Sequence, residues 1–418
     1  MKENILQLIK CGLAILLLSC LSQNTLAQSF TPLANIPGTG QDFDGGMAFE
    51  LNGNIYAGAG FYSKTLYMYD ISSDTWTTKN ELPGSVYSRS SALTFTINGK
   101  AYMLNGDDIN PTTFTYTKLL DFYEYDESSD SWTALPAPPF TYRRNAGIFV
   151  INNKVYIVGG YDDTNTNTKT TWEFDGIDWV QKVDFPTPNI AQPSTFVLED
   201  KAYVACGLTK VTTTTQTNLL FEYDPAADSW SSKAGFPGEI RAGAMGFSAG
   251  GIGFCGLGSY VNSSFQFVYH NDFYSYDPVS DAWALVNAAF PGPSRQAAMA
   301  VSHDNKAYIG AGWSFMNSVN AYFRDWFEFE NGSLDVVNDI KTTDKTVYPN
   351  PASDKLYLFD ESTWDVKDKQ VQIVDISGRT ILESNLDNDN SIDISVLKSG
   401  IYFIHHLADS KIVRFIKR

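Results

Sequence analysis

Arginines and aromatic residues recur at matched positions along this 418-residue chain, and they are the side chains with the most chemistry to offer. Arg89, Arg241 and Arg295 each stand 13 residues before an aromatic, Tyr102, Phe254 and Tyr308. Arg143 or Arg144 belongs to the same set, whereas Phe43-Asp44 and Ile190-Ala191 interrupt it. A second group, Phe61, Tyr62, Tyr161, Tyr260, Trp313 and Phe315, lies shortly after glycines. Guanidinium groups grip carboxylates bidentately, and rings stack on the apolar faces of sugars, so the combination suits an anionic or sugar-like ligand. The candidate ligand-binding residues are Arg89, Arg144, Arg241, Arg295, Tyr62, Tyr161, Tyr260 and Trp313. The competing reading is that each arginine ties structural elements together, through loop carbonyls or acids such as Asp44. Acid–base catalysis at such a site would need a local pair, and Arg241 with Glu239 is the nominee.

Other chemistry is sparse. Asp107-Asp108 and Asp162-Asp163 could supply oxygen ligands to calcium, but no EF-hand or other spaced ligand set surrounds them, so they read as solvated loop acids. No metal site and no cofactor is expected. Gly-x-Ser-x-Gly, His-Glu-x-x-His and a phosphate loop are all absent. The formal charge of −17 argues against nucleic acid and anionic membranes as partners. Cys206 and Cys255 follow buried-strand patterns and read as core thiols, with a single disulfide as the alternative.

The elements that position these residues come from an internal repeat of about 50 residues, present in six copies. Each copy opens with an apolar run such as Arg241–Phe247, then a polar turn such as Asn52-Gly53 or Asn98-Gly99. An aromatic four positions before a glycine follows: Tyr56/Gly60, Tyr102/Gly106, Tyr156/Gly160, Tyr203/Gly207, Phe254/Gly258 and Tyr308/Gly312. Apolar strand, tight turn, aromatic strand and glycine make a β-hairpin. After a variable loop comes aromatic-x-aromatic-acid, as in Tyr67–Asp70 and Phe327–Glu330, and then a Trp that starts a fourth strand: Trp76, Trp132, Trp179, Trp230 and Trp283. The sixth copy lacks that Trp strand. Phe30–Pro37 resembles Trp132–Pro136, so the first strand of the chain is expected beside the sixth copy, shutting a ring and burying its open edges.

Over 30–330 this pattern resembles kelch repeats, which implies a six-bladed β-propeller, although the glycine doublet is intact only at Gly159-Gly160. In a propeller the residues before each first strand and those after each Gly share one face. In kelch propellers that face is a usual site for ligands or partners. Galactose oxidase is a kelch-type propeller too, but the His pair and modified Tyr of its copper site have no counterpart here. A sugar mutarotase or epimerase acting on a sialic-acid-like substrate is the enzymatic alternative, by resemblance to six-bladed bacterial sialic-acid epimerases.

The ends of the chain carry addresses. Lys2 and Lys10 precede an apolar run, Cys11–Leu18, and Thr25-Leu26-Ala27 supplies a small-x-small cleavage site, so 1–27 reads as a signal peptide. Leu17–Cys20 also resembles a lipoprotein box, with Cys20 as the lipidated residue. Residues 28–332 form the propeller and 333–346 a linker. Over 347–418, the segments Tyr348–Ala352, Val374–Arg379, Ile392–Ser395 and Leu397–Ile404, with a basic tail from Lys411, resemble a type IX secretion sorting domain of Bacteroidetes. That resemblance implies a small Ig-like β-sandwich that engages the secretion machinery and is then removed, leaving the body free or attached at the cell surface. An adhesion module that stays on the chain is the alternative. The expected function is an all-β, secreted or surface protein that binds an extracellular glycan or protein through its Arg and aromatic face, with a structural spacer as a third reading.

Overall fold

The computed structural model describes residues 28–186, 189–210, 214–316, 318–332, 347–348, 350–358, 370–375, 380–398, 400–406 and 411–418. The expected signal peptide with Cys20, and the linker at 333–346, lie outside them. The described residues fall into two units that divide after Asn331.

In the first unit each repeat is a four-stranded antiparallel sheet, or blade. Blade 1 runs Met47–Leu51, Asn54–Gly60, Ser63–Asp70 and Thr75–Thr78. Its first strand alternates buried and half-buried side chains, while its second is buried on both faces. That difference explains the composition: a strand with sheet neighbours against both faces accepts small and apolar residues at every position. Blades 2 to 6 begin at Leu93, Gly147, Ser194, Met245 and Met299.

The sixth sheet takes its outermost strand from the start of the chain. Ser29–Leu33 pairs with Trp326–Glu330, Phe30 opposite Phe329. The Phe30 ring lies 4.8 Å from Phe329 and 5.5 Å from Phe290. Apolar clusters fill the spaces between successive blades. One joins the sixth to the first through Ile55, Tyr69, Met299, Tyr308 and Trp326.

A polar clamp repeats at the tyrosines of four of these clusters. Asp74, Asp130, Asp228 and Asp281 each accept the hydroxyl of a buried tyrosine in their own blade: Tyr69, Tyr125, Tyr223 and Tyr276. The same carboxylates take backbone N–H groups from the preceding blade, at Ala34, Asn80, Val183 and Ala234. For Asp74 that N–H follows Ser29–Leu33, so the clamp reaches the outermost strand of the sixth blade itself.

In the second unit, Val347–Tyr348, Lys355–Leu358 and Ser391–Asp393 form one sheet. Thr380–Asn385, Gln370–Asp375, Gly400–His406 and Lys411–Lys417 form another. Leu356, Val371, Ile373, Ile392, Ile404 and Phe415 share its core. The basic tail is therefore a strand, paired along Gly400–His406. Among the described residues no helix is long and apolar enough to cross a membrane.

Candidate functional site

Two backbone features build one face of the ring. The repeat glycines Gly106, Gly160, Gly207, Gly258 and Gly312 have φ between 86° and 97°, a region residues with a Cβ rarely adopt. At Gly312 an added Cβ would lie 2.7 Å from the Gln296 carbonyl oxygen. The chain then crosses to the segment before the blade's first strand of the next repeat or of its own, as Trp313 does by exchanging two backbone hydrogen bonds with Gln296, 2.9 and 3.1 Å. Ser90 with Asp107, Arg144 with Tyr161 and Ala242 with Ser259 are joined in the same way. This is how residues before the first strand and residues after the glycine come to share a face.

The second feature is a ring of left-handed residues, one per repeat: Gly45, Ser91, Asn145, Gln192, Gly243 and Ala297, with φ from 51° to 66°. Ser91 N–H donates to the Gly45 carbonyl at 2.6 Å, Gln192 to Asn145 at 2.8 Å, Gly243 to Gln192 at 3.3 Å and Ala297 to Gly243 at 3.0 Å. All six line a cavity of about 360 Å³ at the centre of this face. Its walls carry Phe61, Tyr116 and Trp313, and the polar side chains of Asp44, Asp107, Arg144 and Gln296.

Three of the four expected arginines do not reach this cavity. Arg89, Arg241 and Arg295 are fully buried. Arg241 donates to Asp272 at 2.6 and 3.3 Å, to the Leu257 carbonyl at 3.0 Å and from Nε to the Glu239 carbonyl at 3.0 Å. Arg295 grips Asp325 through both terminal nitrogens and bonds to the Ala311 and Pro293 carbonyls. Arg89 binds Asp121 at 3.0 and 2.5 Å and the Pro83 carbonyl at 3.2 Å. Aromatic rings cover two of these guanidinium groups, Phe236 over Arg241 and Phe290 with Phe323 against Arg295. Their charge is spent inside the blade, so the expectation that they hold a ligand is corrected: they pin loops to strands. The pairing of Arg241 with Glu239 as an acid–base couple fails for the same reason. Glu239 meets Arg241 through its backbone carbonyl, while its side chain is exposed.

The sequence held a signal for this role. An aspartate stands immediately before the third strand in blades 2, 5 and 6, at Asp121, Asp272 and Asp325, where an arginine is also present. In blade 3 the residue is Thr170, whose hydroxyl takes a hydrogen bond from the buried Arg143 at 3.1 Å. Blades 1 and 4 have neither, with Thr65 and Leu219 there, and Phe43 and Ile190 fill the arginine place. Burial would raise the Asp272 carboxyl, but the Arg241 hydrogen bonds and charge outweigh it and hold the group below the usual carboxylate range.

Arg144, the neighbour of that structural Arg143, is the arginine that faces the cavity. It lies 5.0 Å from the centre of the Tyr161 ring and 3.9 Å from the Asp107 carboxylate. Asp107 also accepts the buried Tyr142 hydroxyl at 2.7 Å. Burial raises its carboxyl, with Tyr142, Arg144 and Lys118 opposing. Asp108 is not a solvated loop acid: it is buried and accepts three successive N–H groups, from Val86, Tyr87 and Ser88. Asp162 caps its own turn through Thr164 and Thr166.

Among the aromatics, Trp313 lines the cavity. Tyr62 packs on the lining Phe61 at 4.7 Å and Tyr161 carries the lining Arg144, so these two support the walls, whereas Tyr260 stacks on His270 at 5.6 Å, away from the lining residues. Asp44 was legible only as a possible arginine partner. Among the described residues its carboxyl has no hydrogen-bond or ion-pair partner, and burial pushes it up to about 6. Beyond the cavity, hairpin tips raise exposed Phe114, Phe265 and Phe315 around the face.

Comparison with known proteins gives two matched families. Residues 346–417 match the Secretion system C-terminal sorting domain, and 142–175 match the Kelch motif. The kelch match falls on the repeat with the intact Gly159-Gly160 doublet. Kelch-like protein 35 of Mus musculus is 24% identical over 219 residues, 52% of this chain and 34% of that protein. Kelch repeat and BTB domain-containing protein 8 of Danio rerio is 23% identical over 198 residues, 44% of this chain and 30% of that protein. The chain thus spans about a third of the length of these curated relatives. A solved structure titled "Structure of YjhT" matches with a TM-score of 0.60 at 18% identity, covering 71% of this chain and 96% of that one, a likeness of fold.

Proposed function

We propose that this chain, a kelch β-propeller bearing a secretion-system C-terminal sorting domain, is a secreted or surface protein that binds a glycan in the central cavity of its loop face. The sorting domain implies passage through the secretion machinery. Export would begin with cleavage near Ala27 and end with removal of the unit that follows 333–346. The propeller is what remains to act.

The observation that carries the reading is the lining of the cavity. Ligand pockets are commonly of about 300–1,000 Å³, and one of about 360 Å³ has room for a small sugar unit. Phe61, Tyr116 and Trp313 offer ring faces for the apolar side of a pyranose. Asn145, Gln192 and Gln296 offer amide donors and acceptors for hydroxyl groups, and Arg144 and Asp107 add a paired charge. The exposed rings of Phe114, Phe265 and Phe315 extend the stacking surface to further sugar units.

The test is a glycan array probed with the purified protein and with Trp313→Ala. Saccharide binding by the native protein that falls at least about tenfold in the variant, with unchanged melting, is the expected outcome. Absence of any saccharide signal, with capture of a protein ligand by the same face, would replace this reading.

A further inference from the structure

We infer that the ligand filling this cavity presents a protonated amine to Asp44, so that the favoured glycan is an amino sugar with a free amino group. This rests on the glycan reading above and assigns its chemical class. The argument begins with the charges that face the cavity. Arg89, Arg241 and Arg295 are neutralised within their blades by Asp121, Asp272 and Asp325. Arg144 stands beside Asp107, 3.9 Å away. Asp44 then remains as the charged lining side chain with no partner among the described residues: only its backbone carbonyl takes a hydrogen bond, from Ser90 Oγ at 3.4 Å.

The surroundings of Asp44 suit a cation. Phe61 and Tyr116 pack edge to face at 5.9 Å on one part of the wall. Trp313 forms another part, backed by Tyr269 at 6.2 Å. Aromatic faces attract ammonium groups, and a carboxylate beside them turns that attraction into a charge-assisted contact. An acidic sugar would meet the opposite: an unpaired carboxylate of like charge, and one arginine already engaged. The sign of the expected ligand charge is thereby reversed from the one the arginine spacing suggested.

Burial raises the Asp44 carboxyl to about 6, so its negative charge develops as pH rises through that value. Tyr116, Tyr269 and Tyr322 stand around it, each raised by burial, and they remain neutral in this range. Arg144, Asp107 and Lys118 supply the remaining charges nearby. Amine binding should therefore strengthen from pH 5 to pH 7, then weaken above roughly pH 8, where a typical amino group loses its proton.

The experiment is calorimetric titration of the purified chain with a β-1,4-glucosamine tetramer and with its fully N-acetylated counterpart, at pH 5 and pH 7. At pH 7 the free-amine tetramer should bind about tenfold or more tightly than the acetylated one, and Asp44→Asn should abolish that preference. The change from pH 5 to pH 7 in the native protein tests the same claim without any variant. Equal binding of both tetramers, unaffected by pH and by Asp44→Asn, would overturn the amine inference and leave glycan binding standing. Tetramethylammonium binding that requires Asp44, with neither tetramer bound, would support the cation site and overturn the glycan reading. Silence from all three probes would overturn both.

Discussion

Arg241→Ala separates a structural arginine from a ligand-binding one. Truncation would remove the two bonds to Asp272 and those to the Leu257 and Glu239 carbonyls, together with the packing on Phe236, 4.7 Å away. Breaking a buried ion pair typically costs about 3–5 kcal/mol. The Asp272 side chain is 32% exposed and can recover water, which places the loss at the low end, about 3 kcal/mol. For a domain of this size, each kcal/mol moves the midpoint by roughly 2 °C, so the melting temperature should fall by about 6 °C. Asp272→Ala should cost at least as much, since it strands a fully buried guanidinium. The pH dependence follows from the depressed Asp272 carboxyl. Its stabilisation is complete above the unfolded carboxylate value, about 3.9, and disappears as pH falls through the lower folded value, so the gap between native and variant should close in acid. Calorimetric melts with glycan titrations on the same preparations would measure both properties. A variant that melts like the native protein yet no longer binds saccharide would refute this assignment and return Arg241 to the binding surface.

Two further outcomes are expected. Asp74→Ala should free the Ala34 N–H and the Tyr69 hydroxyl, cost about 1–3 kcal/mol, and expose the closing strand to limited proteolysis before the rest of the ring; cleavage elsewhere first would count against the clamp. Cys206 and Cys255 are free thiols with sulfurs 4.0 Å apart, and burial shields both from reagent, so neither should react with iodoacetamide until the propeller unfolds.

Much of the framework was legible because it rests on local rules that repeat. A strand pattern and a left-handed turn leave the same mark in every copy, and a glycine at φ near 90° marks five of the six. The arginine series was equally visible, but the direction of its side chains was not. Arg143 and Arg144 are adjacent, and one turns into the blade while the other faces the cavity. Asp121, Asp272 and Asp325 recur with the arginines along the chain, yet each pair lies 30 to 32 residues apart, and proximity across that gap is a property of the folded loop.

The repeat, the propeller and the likeness to a sorting domain were readable along the chain, since alternation, tight turns and family motifs are written in neighbouring residues. What the charges do depends on contacts made only in the folded ring. Bringing six loops together buried three arginines against their aspartates and left the Asp44 carboxylate, beside aromatic walls, with no basic side chain paired to it among the described residues. A charge acquires its role from what lies within a few ångströms of it, and in this ring those neighbours come from distant parts of the chain.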